Sequence, residues 1–133
     1  MTSHVRFAAA SLVAAVLLAS PLVARPASLL GRLEPGRWVV KTYEAGAAER
    51  SLCVANPSAL LQIEHGGGCS QEVIAANGNR ATVEYSCGNR GFGHTSLRLQ
   101  TPRSATLDTQ GMIDGRPFAY RAVARRSGAC RPG

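Results

Sequence analysis

Cys53, Cys69, Cys87 and Cys130 are the residues of this chain with the most definite chemistry open to them. An even number of cysteines in a small chain with an export-like start points to disulfides rather than free thiols. Four cysteines allow three connectivities, and spacing alone does not choose among them. The other reactive types are thinly spread. Glu72 and Glu84 fall on the two arms of one hairpin, and facing carboxylates can share a proton for acid–base work. On a polar strand face, however, they read as solvent-exposed. His94, Asp108 and Ser96 are residue types of a nucleophilic triad, with no spacing that joins them. His65 and His94 lack a clustered carboxylate, and cysteine ligands would compete with disulfides, so no metal is implied. His65-Gly66-Gly67-Gly68 is like the oxyanion loop of some esterases, but the Gly-x-Ser-x-Gly elbow that it would serve does not occur. It reads as a helix stop. Gly88-Asn89-Arg90-Gly91-Phe92-Gly93 lacks the dinucleotide spacing and the helix that should follow, and reads as a loop. No catalytic residue and no cofactor is assigned.

The elements that hold these residues begin with the stretch from Cys69 to Cys87. Folded about Gly78, it sets Cys69 opposite Cys87, Gln71 opposite Tyr85, Val73 opposite Val83 and Ala75 opposite Ala81, all on one largely apolar face. Ser70, Glu72, Ile74 and Ala76 then meet Ser86, Glu84, Thr82 and Arg80 on the other. Glu72 against Glu84 is unfavourable, since like charges directly opposite repel. A bulge, or a two-residue Asn77-Gly78 turn, would shift the pairing by one and remove that contact. It would also part the cysteines, so the symmetric register is preferred.

Residues 1–24 read as a cleaved export signal. A short basic start precedes an apolar run from Phe7 to Ala19, and Leu22-Val23-Ala24 fits a small-residue cleavage site. The run is too short for a membrane anchor, which needs roughly 20 apolar residues. With no cysteine near the cleavage region, lipid attachment there is not expected. The product is expected to be periplasmic or secreted, monomeric, and without a spanning segment. Of the 133 residues 109 then remain, enough for one domain. They keep 14 of the 15 basic residues and all 8 acids, a net charge of +6. Such a surface can attract an anionic envelope component, a lipid or a glycan. The cations are scattered from Arg25 to Arg131, gathering only weakly at Arg121, Arg125, Arg126 and Arg131, so nucleic acid is not expected.

Residues 25–33 read as a flexible leader and 34–131 as the single domain. Glu34-Pro35-Gly36 launches a strand over 37–44, and 49–55 returns as a second. Asn56-Pro57 starts a short helix over 56–64, with Asn56 as the cap and Pro57 in the first turn. After the cysteine hairpin, strands follow over 94–100 and 105–113, and Asp114-Gly115 turns the chain into a last strand from Phe118 to about Arg126. That two-residue turn makes paired positions sum to 229, setting Asp108 against Arg121, Gly111 against Phe118, Thr109 against Tyr120 and Leu107 against Ala122. The expected fold is mainly β (α+β), an antiparallel meander of six to seven strands. Its curved sheet carries one short packed helix and is stapled by two disulfides. Trp38, Tyr43, Phe118 and Tyr120 are weak candidates for a concave binding surface; otherwise they pack the core.

Five short motifs occur in a set order. They are Pro35-Gly36-Arg37-Trp38, Leu52-Cys53-Val54-Ala55, Cys69-Ser70, Tyr85-Ser86-Cys87 and Arg126-Ser127-Gly128-Ala129-Cys130. Together they resemble the bacterial domain-of-unknown-function family 3617, small exported proteins with a Pro-Gly-x-Trp opening and four cysteines in this order. The resemblance runs from Leu33 to Cys130. It departs at Val39, where such proteins usually carry an acid, and at Ala45–Ala48, where their connection is often longer. It implies export and a β-rich fold, and supplies no activity. Together with the hairpin register it implies a Cys69–Cys87 bond, leaving Cys53 to join Cys130. The function expected is that of a non-catalytic binding or structural domain of the cell envelope. The alternative is a small periplasmic hydrolase or isomerase using a histidine and carboxylates.

Overall fold

A computed structural model describes residues 28–131; the expected signal and its cleavage site lie outside the described residues. Seven strands form one sheet: β1 (Gly36–Thr42), β2 (Arg50–Val54), β3 (Ser70–Asn77), β4 (Arg80–Ser86), β5 (Gly91–Thr101), β6 (Ser104–Ile113) and β7 (Arg116–Gly128). Their order across the sheet is β2-β1-β7-β6-β5-β4-β3, every neighbouring pair is antiparallel, and the sheet does not close. The meander therefore runs unbroken only from β3 to β7, and the β1–β2 hairpin docks by laying β1 along β7. Because β2 and β3 are the two edges, the chain between them must cross one whole face of the sheet. That crossing segment covers the core.

The β6–β7 hairpin shows how local chemistry fixes register. Asp114 and Gly115 both have positive φ, 49° and 75°, the geometry of a two-residue turn whose twist suits paired strands. All four pairs expected from it are present: Asp108 with Arg121, Gly111 with Phe118, Thr109 with Tyr120 and Leu107 with Ala122.

The β3–β4 hairpin reconciles two demands. Near the cysteines the symmetric register holds, with Gln71 opposite Tyr85, Glu72 opposite Glu84 and Val73 opposite Val83. Toward the turn it shifts by one, with Ala75 opposite Thr82, Ala76 opposite Ala81 and Asn77 opposite Arg80. A two-residue turn at Gly78-Asn79 requires the second register and the cysteine bond requires the first. The extra residue is absorbed at Ile74, as a bulge absorbs it. The expected pairs Ala75 with Ala81 and Ile74 with Thr82 are thus replaced, and the Glu72–Glu84 opposition survives.

The core lies between the inner face of the sheet and the crossing segment. Trp38, Val40, Val54, Val83, Leu97, Leu107, Ala122 and Ala124 of the sheet meet Leu60 and Leu61 of the crossing segment there. A buried hydroxyl chain pins the layers: Thr109 donates to Thr95 (2.7 Å), which donates to the Leu61 carbonyl (2.7 Å). Buried polar groups need such partners.

Three expectations change. The helix expected over 56–64 is a single 3-10 segment, Pro57–Leu61. Its start is as expected: Asn56 Oδ1 accepts from the Ser58 amide (3.1 Å) and Pro57 follows. Five residues give too few hydrogen bonds to propagate an α-helix, and the short 3-10 form serves instead. The expected loop 88–93 is a 3-10 turn, Gly88–Arg90, followed directly by β5 from Gly91. Gly93 is needed there because a Cβ would stand 2.2 Å from the Tyr85 ring lying over it. Finally, Leu29–Arg32, within the expected leader, forms a 3-10 turn and Leu33 is buried in the core, so the packed fold takes in part of that segment.

The four cysteines form Cys53–Cys130 and Cys69–Cys87, and none is free. Each bond secures one edge of the sheet: Cys53 lies on β2, and Cys69 immediately precedes β3.

Candidate functional site

Strand alternation divides the chain's polar chemistry between the two faces. On the outer face, successive strands bring Glu72 opposite Glu84, Glu84 opposite His94, and His94 opposite Gln110. The next row holds Phe92 opposite Met112, and Met112 opposite Pro117. Together these rows line an open groove of about 1180 Å³ that spans β3 to β7 at the strand ends nearest the Cys69–Cys87 bond. Its apolar side is Phe92, Met112 and Pro117, and Phe92 is 56% exposed, a large apolar surface left in water. Its polar side is Glu72, Glu84, His94 and Gln110. His94 Nδ1 lies 3.6 Å from Glu84 Oε1, with side-chain exposures of 41% and 60%. Like charges at Glu72 and Glu84 lower the stability of this hairpin and would be relieved by a cation or hydrogen-bond donor placed between them.

The inner face carries two polar braces beneath the crossing segment. Glu64 Oε1 accepts hydrogen bonds from Arg50 Nη2 and from the Tyr120 hydroxyl (2.7 Å), while Arg50 also donates to Tyr120 (2.9 Å). The guanidinium carbon stands 5.6 Å from the Tyr120 ring centroid, within cation–π range. The second brace is His65. Its Nε2 donates to the Met112 carbonyl (2.9 Å), which leaves Nδ1 to accept from the Tyr85 hydroxyl (3.2 Å). Arg90 then holds the backbone around it, donating to the His65 and Gly67 carbonyls. Both braces fasten the crossing segment to the sheet, and they leave the outer groove as the accessible chemistry.

These braces make part of the stability depend on pH. Burial pushes the Glu64 carboxyl up, but hydrogen bonds from Arg50 and Tyr120 outweigh it and leave the group below its ordinary value. A lowered carboxylate contributes stability above its unfolded pKa and loses it as pH falls through the folded one. Burial, with the Glu64 charge nearby, pushes the Tyr85 phenol up to about 12 from 10.0; burial and the Glu64 hydrogen bond raise Tyr120 as well. A raised phenol contributes stability below its unfolded pKa and loses it as pH climbs toward the folded one. Thermal melts are therefore expected to hold a plateau that falls on the acid side below the carboxylate range and on the alkaline side from about pH 10. Glu64→Gln should flatten the acid limb, and Tyr85→Phe part of the alkaline limb. Unchanged limbs in both variants would contradict this assignment.

The four aromatic candidates do not form one surface. Trp38 is fully buried in the core, its Nε1 donating to the Glu34 carbonyl (3.0 Å). Phe118 and Tyr120 are neighbours with ring centroids 6.3 Å apart, and Phe118 borders the groove while its ring leans on His65. Tyr43 is 61% exposed and belongs to the outer face. The groove's exposed aromatic residue, Phe92, was hidden in a stretch whose glycines read as a loop. The Arg50–Glu64–Tyr120 brace had no sequence signal, since its members are far apart in the chain. Among the described residues, no group of three histidine, cysteine or acidic side chains could hold a metal, and no helix is long and apolar enough to cross a membrane.

Comparison with known proteins gives one match. The model of a family described as protein of unknown function (DUF3617) matches residues 33–130. No curated protein and no solved structure matches the chain. Matched from the buried Leu33 to the last bonded cysteine, the chain belongs to the domain-of-unknown-function family 3617.

Proposed function

We propose that this protein is a non-catalytic binding domain exported to the cell envelope, taking an amphipathic ligand in the groove of its outer sheet face. The observation that carries the reading is the groove itself, where Phe92, Met112 and Pro117 stand beside Glu72, Glu84 and His94. Concave sites with an apolar wall and a few convergent polar groups are the usual form of small-molecule sites. The apolar part of the ligand lies on Phe92, and a cationic or donor group meets the facing glutamates. Export is supported by the signal-like residues 1–24 and by two disulfides, which persist in oxidising compartments.

The competing reading, a small hydrolase or isomerase, draws on one observation, the Glu84–His94 contact. Both groups are well solvated, whereas acid–base sites generally exclude water and shield their charges. Binding is therefore preferred. The test uses the secreted protein and a solvatochromic apolar dye, with native mass spectrometry of the freshly isolated protein to find a co-purifying ligand. Dye binding is expected to fall about tenfold or more in Phe92→Ser, given the roughly 1.5–3 kcal/mol carried by a buried aromatic side chain. Tyr43→Ser, on the same face but outside the groove, should leave it nearly unchanged. Equal binding by Phe92→Ser and the unaltered protein would overturn the groove as the site. Turnover of an activated ester that is lost in His94→Ala would overturn the non-catalytic reading.

A further inference from the structure

At the other end of the same outer face, the sheet assembles a cluster of cations that the chain order conceals. Arg80 on β4 sits directly opposite Arg98 on β5. One row away, Ser96, Asp108 and Arg121 follow one another across β5, β6 and β7. These side chains, with Tyr43, line a cleft of about 470 Å³. It holds three guanidinium groups and one carboxylate. Among the described residues, the five ion pairs use Lys41, Arg50, Arg103, Arg126 and His94, and none uses Arg80, Arg98, Arg121 or Asp108. The arginines that brace the fold donate to backbone or side-chain acceptors, among them Arg32, Arg50, Arg90 and Arg126. Among the described residues, those of the cleft have no such acceptor.

The facing arginines are a local fault unless something compensates for them. Like charges directly opposite on a sheet destabilise it, and real folds concentrate such violations where function requires them. A bound anion removes the repulsion and gains charge-assisted hydrogen bonds from two planar forks, a geometry that suits phosphate oxygens in particular. We infer that the Arg80–Arg98–Arg121 cleft is an anion site for a phosphate group, carried either by a lipid headgroup or free in solution. Arg80 and Arg98 grip the phosphate from two adjacent strands. Arg121, partly balanced by Asp108 opposite, adds the third positive charge. Tyr43 lies beside them with a free face for the group that bears the phosphate. This site is separate from the apolar groove and stands whether or not the groove takes a ligand.

The test compares the full secreted protein with Arg80→Gln/Arg98→Gln and with Arg116→Gln/Arg131→Gln, which removes the same charge elsewhere. Inorganic phosphate is titrated by calorimetry. Flotation is measured with zwitterionic phospholipid vesicles, with and without an added anionic phospholipid. The unaltered protein is expected to bind at least one phosphate source in a salt-sensitive manner. Arg80→Gln/Arg98→Gln should weaken that binding by about tenfold to a hundredfold, as loss of charge-assisted hydrogen bonds implies. The control should retain it within about threefold, since a distant surface charge contributes little through screened solution. Binding of free phosphate assigns a soluble ligand, and binding of anionic vesicles alone assigns a lipid headgroup; either supports the site. Because the double variant removes a repulsion, it should melt no lower than the unaltered protein, which separates lost binding from lost folding. Equal weakening in both variants, or no binding of either source, would overturn the assignment. Loss of dye binding by Phe92→Ser bears only on the groove, so the two proposals fail separately.

Discussion

Replacing Cys53 and Cys130 together by serine is expected to destabilise the protein by about 4.5 kcal/mol, and replacing Cys69 and Cys87 by about 3 kcal/mol. The difference follows from loop length. The first bond joins residues 77 apart in sequence and the second residues 18 apart, so the first removes more freedom from the unfolded chain. Domains of this kind have roughly 5–15 kcal/mol in hand, so either loss is a large fraction of the whole. Urea unfolding followed by far-ultraviolet circular dichroism would measure both. A loss below about 1 kcal/mol for Cys53→Ser/Cys130→Ser, or the reverse order of the two pairs, would contradict the ranking.

Trp38→Ala is expected to cost about 3–5 kcal/mol, the range for removing a large aromatic side chain from a packed interior. Trp38 is fully buried on β1, and β1 joins the β2 edge to the meander through β7. Its removal empties the core at that junction and leaves the Glu34 carbonyl without its indole donor. Trp38→Phe should recover much of the loss by refilling the space. Denaturation again gives the value, read by circular dichroism because Trp38 is the only tryptophan. A cost below about 1.5 kcal/mol would place the ring outside the cooperative core.

Features set by near neighbours could be read before the fold was known. Asp114-Gly115 fixes a turn within two residues, and the pairing of ten residues on each side follows from it. The cysteine hairpin was readable at one end, where covalent closure sets Cys69 against Cys87, and misread at the other, where the Gly78-Asn79 turn imposes the opposite parity. Either cue alone suggests a uniform ladder; only both together require the irregularity at Ile74. The short helix shows the same limit, since Asn56 and Pro57 announce where a turn starts but not how far it continues. Much of what could not be read depends on strands meeting out of chain order. The placement of β1 beside β7 and the Glu64 brace arise from such meetings, whereas the gathering of Arg80, Arg98 and Arg121 depends on the register of β4 against β5, which no tight-turn signal announces. In sequence those three arginines are part of a scattered positive background. The groove was half visible: Glu72 and Glu84 were recognised as a pair, while Phe92 was lost among glycines that turn out to be strand.

The placement of the two disulfides bears on how the borders of the sheet are held. An open sheet ends in two rows of unsatisfied amides and carbonyls, and such rows recruit strands from other chains. Here β3 is exposed along its whole length and carries Val73 and Ile74 toward solvent, a composition suited to stacking with its own kind. The bulge at Ile74 spoils that edge as a template, and the sulfur bonds keep both border strands from peeling away to offer a second side. Disulfide formation thus bears on solubility as well as on folding, because a border strand held in place is less able to recruit strands from other chains.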